Sequence, residues 1–119
     1  MDQRVKAQRR KALKLNKIRR NGFFVYMPMD TIAKENEARV KLWRAVVDRN
    51  LKDIIEYLLV VETSVNVSNY RDAKEWFNDD VHGIGAVAGF ACLSESFIRS
   101  VVVRVETQAL NLKKQGISL

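Results

Sequence analysis

A run of apolar residues at helical spacing through the middle of the chain restricts the fold more than any other feature. Val40, Trp43, Val47, Leu51, Ile54 and Leu58 recur at steps of three and four, and Val46, Ile55 and Leu59 widen the stripe. That periodicity predicts one long amphipathic helix over residues 32–60 with a face turned to a core. Asp30 or Thr31 is the expected cap, and Glu35 and Glu37 fall in the early turns, where the helix dipole favours acids. Glu37 with Lys41, Asp48 with Lys52, and Lys52 with Glu56 are opposite charges four apart, expected on the wet face. So broad an apolar face needs other helices, or a second copy of the chain, to cover it.

The rest of the chain supplies those helices. Residues 62–69 are polar and β-branched and read as a loop; Asn69 is the expected cap of a short helix over 70–77, with Asp72 in the capping box. Asn78-Asp79-Asp80 reads as a turn, followed by a small-residue helix over 81–92. A last helix over 94–114 ends on Lys113 and Lys114, with Gly116 as its stop. Upstream, Gly22 closes a basic segment, and Phe23-Phe24-Val25-Tyr26-Met27 is a β-prone run halted by Pro28. A lone strand must dock on the body or pair with a second copy. The order arm, strand, helix resembles ribbon-helix-helix proteins, but this run is apolar on both faces, which favours burial over groove reading. The expected fold is therefore mostly α: a single-domain bundle of about five helices with a helix-turn-helix-like C-terminal part, a short N-terminal strand and a basic arm. The arm covers residues 1–21 and the helical domain 22–119, and 119 residues is the size of one domain.

The formal net charge of +7 is concentrated in that arm. Residues 1–21 carry Arg4, Lys6, Arg9, Arg10, Lys11, Lys14, Lys17, Arg19 and Arg20 against the single acid Asp2, so the arm holds +8 and the remainder −1. Good helix formers dominate the arm, and neither glycine nor proline occurs before Gly22. Alone in water its charges repel, so it is expected to be frayed and disordered; phosphates would relieve the repulsion and order it. By length and composition the arm resembles the short RNA-binding peptides of phage antitermination proteins, which implies a groove or backbone contact with nucleic acid. An acidic protein, an anionic lipid surface, or no partner at all are the competing readings.

Residues 84–104 have the spacing of a helix-turn-helix. Val87, Ala88 and Ala91 suit the first helix, Leu93 the apolar turn position, Ser94 the cap of the second helix, and Ile98 and Val101 its inner face. Cys92 stands where a turn glycine is usual. The reading helix would present Glu95, Ser96, Arg99, Ser100, Val103 and Arg104, with Arg99 placed for a guanine edge and the serines for phosphate or base contacts, while Glu95 and Glu106 oppose phosphate. A plain helical hairpin fits the same residues equally well. Leu42-Trp43-Arg44-Ala45-Val46, Ala73-Lys74-Glu75-Trp76 and Ile98-Arg99 resemble, in this order, a pattern of small phage- and prophage-encoded helical proteins. The resemblance spans about residues 42–104 and implies a kindred fold in a phage setting with a regulatory role. The turn of that group is Gly-Leu-Asp-Pro-like, and Ala91-Cys92-Leu93-Ser94 departs from it.

Other signals are weak. Gly83-x-Gly85-x-x-x-Gly89 lacks dinucleotide-fingerprint spacing and reads as helix contact. His82 beside Asp79 and Asp80 has no second histidine to complete a metal site, and Cys92, the one cysteine, reads as a buried apolar residue. Trp43 and Trp76 read as core anchors. No paired carboxylates or nucleophile elbow is visible, and no apolar run reaches the ~18 residues of a spanning helix. The expectation is a cytoplasmic, non-enzymatic regulator without cofactor, metal or membrane. It would bind DNA or RNA through the nine arm cations and, if the second helix reads bases, through Ser96, Arg99, Ser100 and Arg104. The alternative is an interaction protein that meets an acidic surface of a host complex such as a polymerase or a defence nuclease. A homodimer is compatible with either.

Overall fold

The computed structural model describes residues 3–60 and 63–119. Five α-helices follow in order: α1 Gln3–Asn21, α2 Glu37–Ile55, α3 Ser64–Asn78, α4 Ile84–Val87 and α5 Glu95–Lys114. Short 3-10 turns at Phe24–Tyr26 and Lys34–Asn36 precede α2, and a π-helical turn, Glu56–Val60, extends it. The mostly helical reading holds.

α2 is the central element and packs against α1, α3, α4 and α5. Its stripe is the one the periodicity marks: Val40, Val47, Leu51, Ile54, Ile55, Leu58 and Leu59 are all buried. From Val47 onward they meet Ala73 and Phe77 of α3 and Ile98, Val101, Val102, Val105, Ala109 and Leu112 of α5 in one core. Trp43 and Trp76 are half-buried against this core. The helix does not begin at Asp30 or Thr31. Its entry is the Lys34–Asn36 turn, and Asn36 at the N-cap makes no side-chain cap bond.

The expected strand at 23–27 is absent. The backbone N–H groups of Phe23, Phe24 and Val25 instead converge on the Asp48 carboxylate at 2.9, 2.9 and 3.0 Å. Three donors aimed at one anion form the head of a helical turn, and Phe24 drops fully into the core. A carboxylate from α2 thus overrides the local β preference. It also removes Asp48 from the wet face: the residue is buried, and Glu56, the other expected partner of Lys52, pairs with Arg19 at 2.9 Å. Gly22 makes the link possible. It has φ +95°, and a Cβ there would lie 2.7 Å from Asp48 Oδ2.

Arg44, 2 % exposed, is the second buried charge. Its Nε donates to Ala91 O and its Nη1 to Met27 O, both at 2.9 Å, so α2 holds the segment after α1 and the turn before α5.

Two further boundaries and the placement of Cys92 differ from expectation. α3 starts at Ser64, where Thr63 Oγ1 accepts from Asn66 N at 3.1 Å; the expected loop over 62–69 is helical from residue 64, and residues 61 and 62 lie outside the described residues. The small-residue helix expected over 81–92 shortens to the single turn of α4, and Gly83 and Gly85 lie so close to the backbone of Trp76 and Asp80 that neither has room for a Cβ. Cys92 is exposed rather than buried, and it takes the left-handed position (φ +53°) that a turn glycine usually fills. Beyond it α5 runs as expected, with Ser94 Oγ accepting from Phe97 N at 3.0 Å and Gly116 at φ +76° past its end.

Candidate nucleic-acid interface

α1 is helical and docked, not a disordered arm. Leu15 is 1 % exposed in the common core, with Ala12 and Ile18 partly buried beside it. Tertiary packing supplies what the isolated segment lacks. The anchorage lies in the second half of the helix; none of the described residues before Leu15 is buried.

Docking sorts the nine cations. Arg19 lies between α1 and α2, bound to Glu56 Oε1 at 2.9 Å and to its own Asn16 at 2.8 and 3.2 Å. It is a structural tie. Lys6, Arg10, Lys14, Lys17 and Arg20 are exposed and recur at steps of four, four, three and three, so they form a continuous stripe opposite the docked face. The stripe spans fourteen residue steps, or about 21 Å. Arg9 and Lys11 flank it, and Arg4, also exposed, opens the helix.

At its C-terminal end the stripe joins cations absent from the sequence-based site. Arg20, Arg49 and Lys52 line a shallow depression of about 230 Å³ between α1 and α2, with Arg19 at its wall. Arg49 and Lys52 carry no motif; only the docking of α1 brings them to it. Arg44 and Asp48 were also missed, although both fall at core-facing positions of the stripe around Val47 and Leu51. A charge inside an apolar periodicity is the signal that marks them.

The second expected set is arranged differently. The Arg99 guanidinium is held by Asp80, by Phe77 O at 3.2 Å and by Glu95 at 3.6 Å. Ser96 Oγ lies 2.9 Å from Ser94 Oγ, and Ser100 Oγ donates to Phe97 O at 2.7 Å. Arg104 and the neighbouring Val103 face solvent. Glu106 accepts from Tyr70 Oη at 2.9 Å and Lys74 Nζ at 2.6 Å, which offsets its charge. Burial and the bond to Glu106 push the Tyr70 phenol up to about 12. The structure therefore gathers five of the arm cations, Lys6, Arg10, Lys14, Lys17 and Arg20, on one exposed line and leaves Ser96, Arg99, Ser100 and Arg104 on another helix, with Arg99 engaged.

Among the described residues no group of three or more His, Cys, Asp or Glu side chains is placed to hold a metal. Asp79, instead of serving a metal with His82, accepts from the backbone N–H groups of Val81 and His82 at 3.0 and 2.9 Å, and these bonds lower its carboxyl from the usual value. No helix among the described residues is long and apolar enough to cross a membrane. Comparison with protein-family models, curated proteins and solved structures finds no match.

Proposed function

We propose that this protein binds nucleic acid through the phosphate backbone, with the outward stripe of α1 as the grip and Arg49 and Lys52 as its extension. The carrying observation is the register of Lys6, Arg10, Lys14, Lys17 and Arg20, which puts five cations on one exposed line of a helix held by Leu15. Phosphates follow one another along a strand, so a linear array of cations can neutralise several at once and release their counterions. Docking keeps the array ordered before contact, which lowers the ordering cost that an unfolded arm would meet.

Within this reading the α4–α5 part is a secondary contact. Arg104 and the N-terminal end of α5 are open to a ligand, whereas Arg99 would have to leave Asp80 and Glu95 to reach a base. Affinity therefore comes chiefly from α1, with little sequence selectivity. The role is regulatory and non-enzymatic, and the phage setting rests on the resemblance carried by residues 42–104.

The test is a binding titration on duplex DNA and single-stranded RNA across salt, on the wild type and on a variant with the five stripe cations replaced by glutamine. Five neutralised phosphates on duplex predict a log–log salt slope of about −4.5, which the variant loses. Salt-independent binding, or equal slopes in the two proteins, refutes the proposal. Deleting residues 1–21 is a poor substitute, because it also removes Leu15 from the core.

A further inference from the structure

Beside its cationic stripe α1 presents a less charged edge. Along that edge it forms one wall of a groove of about 890 Å³, and the C-terminal segment after α5 forms the other. The segment is pinned: Ile117 N donates to Leu112 O at 3.0 Å and Leu119 N to Leu59 O at 2.7 Å. Val5, Ala12 and Leu13 face Ile117 and Leu119 across the groove. Leu13 is 68 % exposed and Val5 42 %, on a helix that is otherwise dominated by charge. Nothing among the described residues covers them.

The geometry points to an acidic amphipathic helix of a partner protein as the occupant of this groove. The wall contributed by α1 runs from residue 4 to residue 16, about 18 Å of straight helix, which suits another helix laid alongside. On α1 the apolar residues Val5, Ala12 and Leu13 stand seven and eight residues apart, as one helix packed along another requires, with Gln8 and Asn16 beside them. Arg9 lines the groove, no acidic side chain does so among the described residues, and Lys6 and Arg10 follow on the solvent side. A partner therefore gains from glutamates flanking its apolar ridge. A second copy of the chain is disfavoured, since its own α1 would bring like charge to the contact. Nucleic acid is disfavoured on this edge, because among the described residues no aromatic side chain lines it for base stacking. The groove borders the phosphate grip, since Arg10 and Lys17 stand three and four residues from Leu13 on the same helix, but its apolar wall is not part of that grip.

The experiment titrates the full-length protein with a labelled synthetic helix-forming peptide of about fifteen residues, with leucines every three to four residues and glutamates on both flanks. Two control peptides carry lysines in place of the glutamates, or the same acidic composition scrambled. The expected result is saturable 1:1 binding of the acidic amphipathic peptide alone. Leu13→Glu should weaken it by about tenfold or more, with unchanged circular dichroism, and the neutral Leu13→Ser should weaken it while leaving affinity for duplex DNA unchanged. Leu13→Met should retain binding. Several results overturn the inference: no saturable binding, equal binding of the scrambled peptide, or indifference to Leu13→Glu. A wild-type dimer that Leu13→Glu dissociates would also do so, since a second copy would then be the occupant.

Discussion

Among the described residues, two buried charges and one left-handed residue other than glycine organise the polypeptide between its helices. Asp48 receives three backbone N–H groups and Arg44 reaches two carbonyl groups, and neither role can be assigned from composition. Arg44 and Asp48 fall within the apolar periodicity of α2, but the four-residue spacing to Lys52 assigns Asp48 to the wet face. The missing information was the identity of the partners, which are backbone atoms of segments 17 to 47 residues away. Asp48→Ala leaves three donors without an acceptor and should cost roughly 3 kcal/mol, measured as a fall in the urea midpoint at constant m-value. Asp48→Asn keeps one acceptor oxygen and should cost less. At Cys92 the strain of φ +53° exceeds the entropic cost of glycine, so Cys92→Gly should stabilise the fold by about 0.5–1 kcal/mol in the same assay.

At the scale of elements, legibility followed where the determining contacts are local. α5 was readable at both ends because Ser94, Lys113, Lys114 and Gly116 act on their own helix. The strand over 23–27 was misread because its fate depends on Asp48. The start of α3 was missed by six residues: Thr63 is a good cap, but the β-branched run behind it resembles a loop, and packing of Tyr70, Ala73 and Phe77 carries the helix through. Tyr70 and Lys74 then join α3 to α5 at Glu106. The Tyr70 phenol, raised to about 12 from 10.0, stays protonated in the fold when the unfolded chain would ionise. Its contribution is therefore fully present below pH 10 and is lost as pH rises through about 12. Unfolding free energy should decline across that window, and Tyr70→Phe should flatten the decline. An unchanged slope in the variant would place the effect elsewhere.

For the whole molecule, the asymmetry of charge visible in the sequence survives, but its physical form changes. The segment expected to be a loose arm is a helix whose Leu15 belongs to the common core, so part of the folding energy holds the basic surface in place. Leu15→Ala should cost about 3 kcal/mol of stability while leaving every exposed cation unaltered, as thermal denaturation would register. The site was thus half legible. Its residues could be counted in advance, but which of them face outward, and that Arg49 and Lys52 stand beside them, depends on how α1 docks. The central claim is that Lys6, Arg10, Lys14, Lys17 and Arg20 act together on phosphate. Duplex-DNA binding measured by fluorescence anisotropy across a salt series, wild type against the five-glutamine variant, tests it most directly. The account predicts that the variant's log–log slope is shallower by about 4.5; two parallel lines would contradict it.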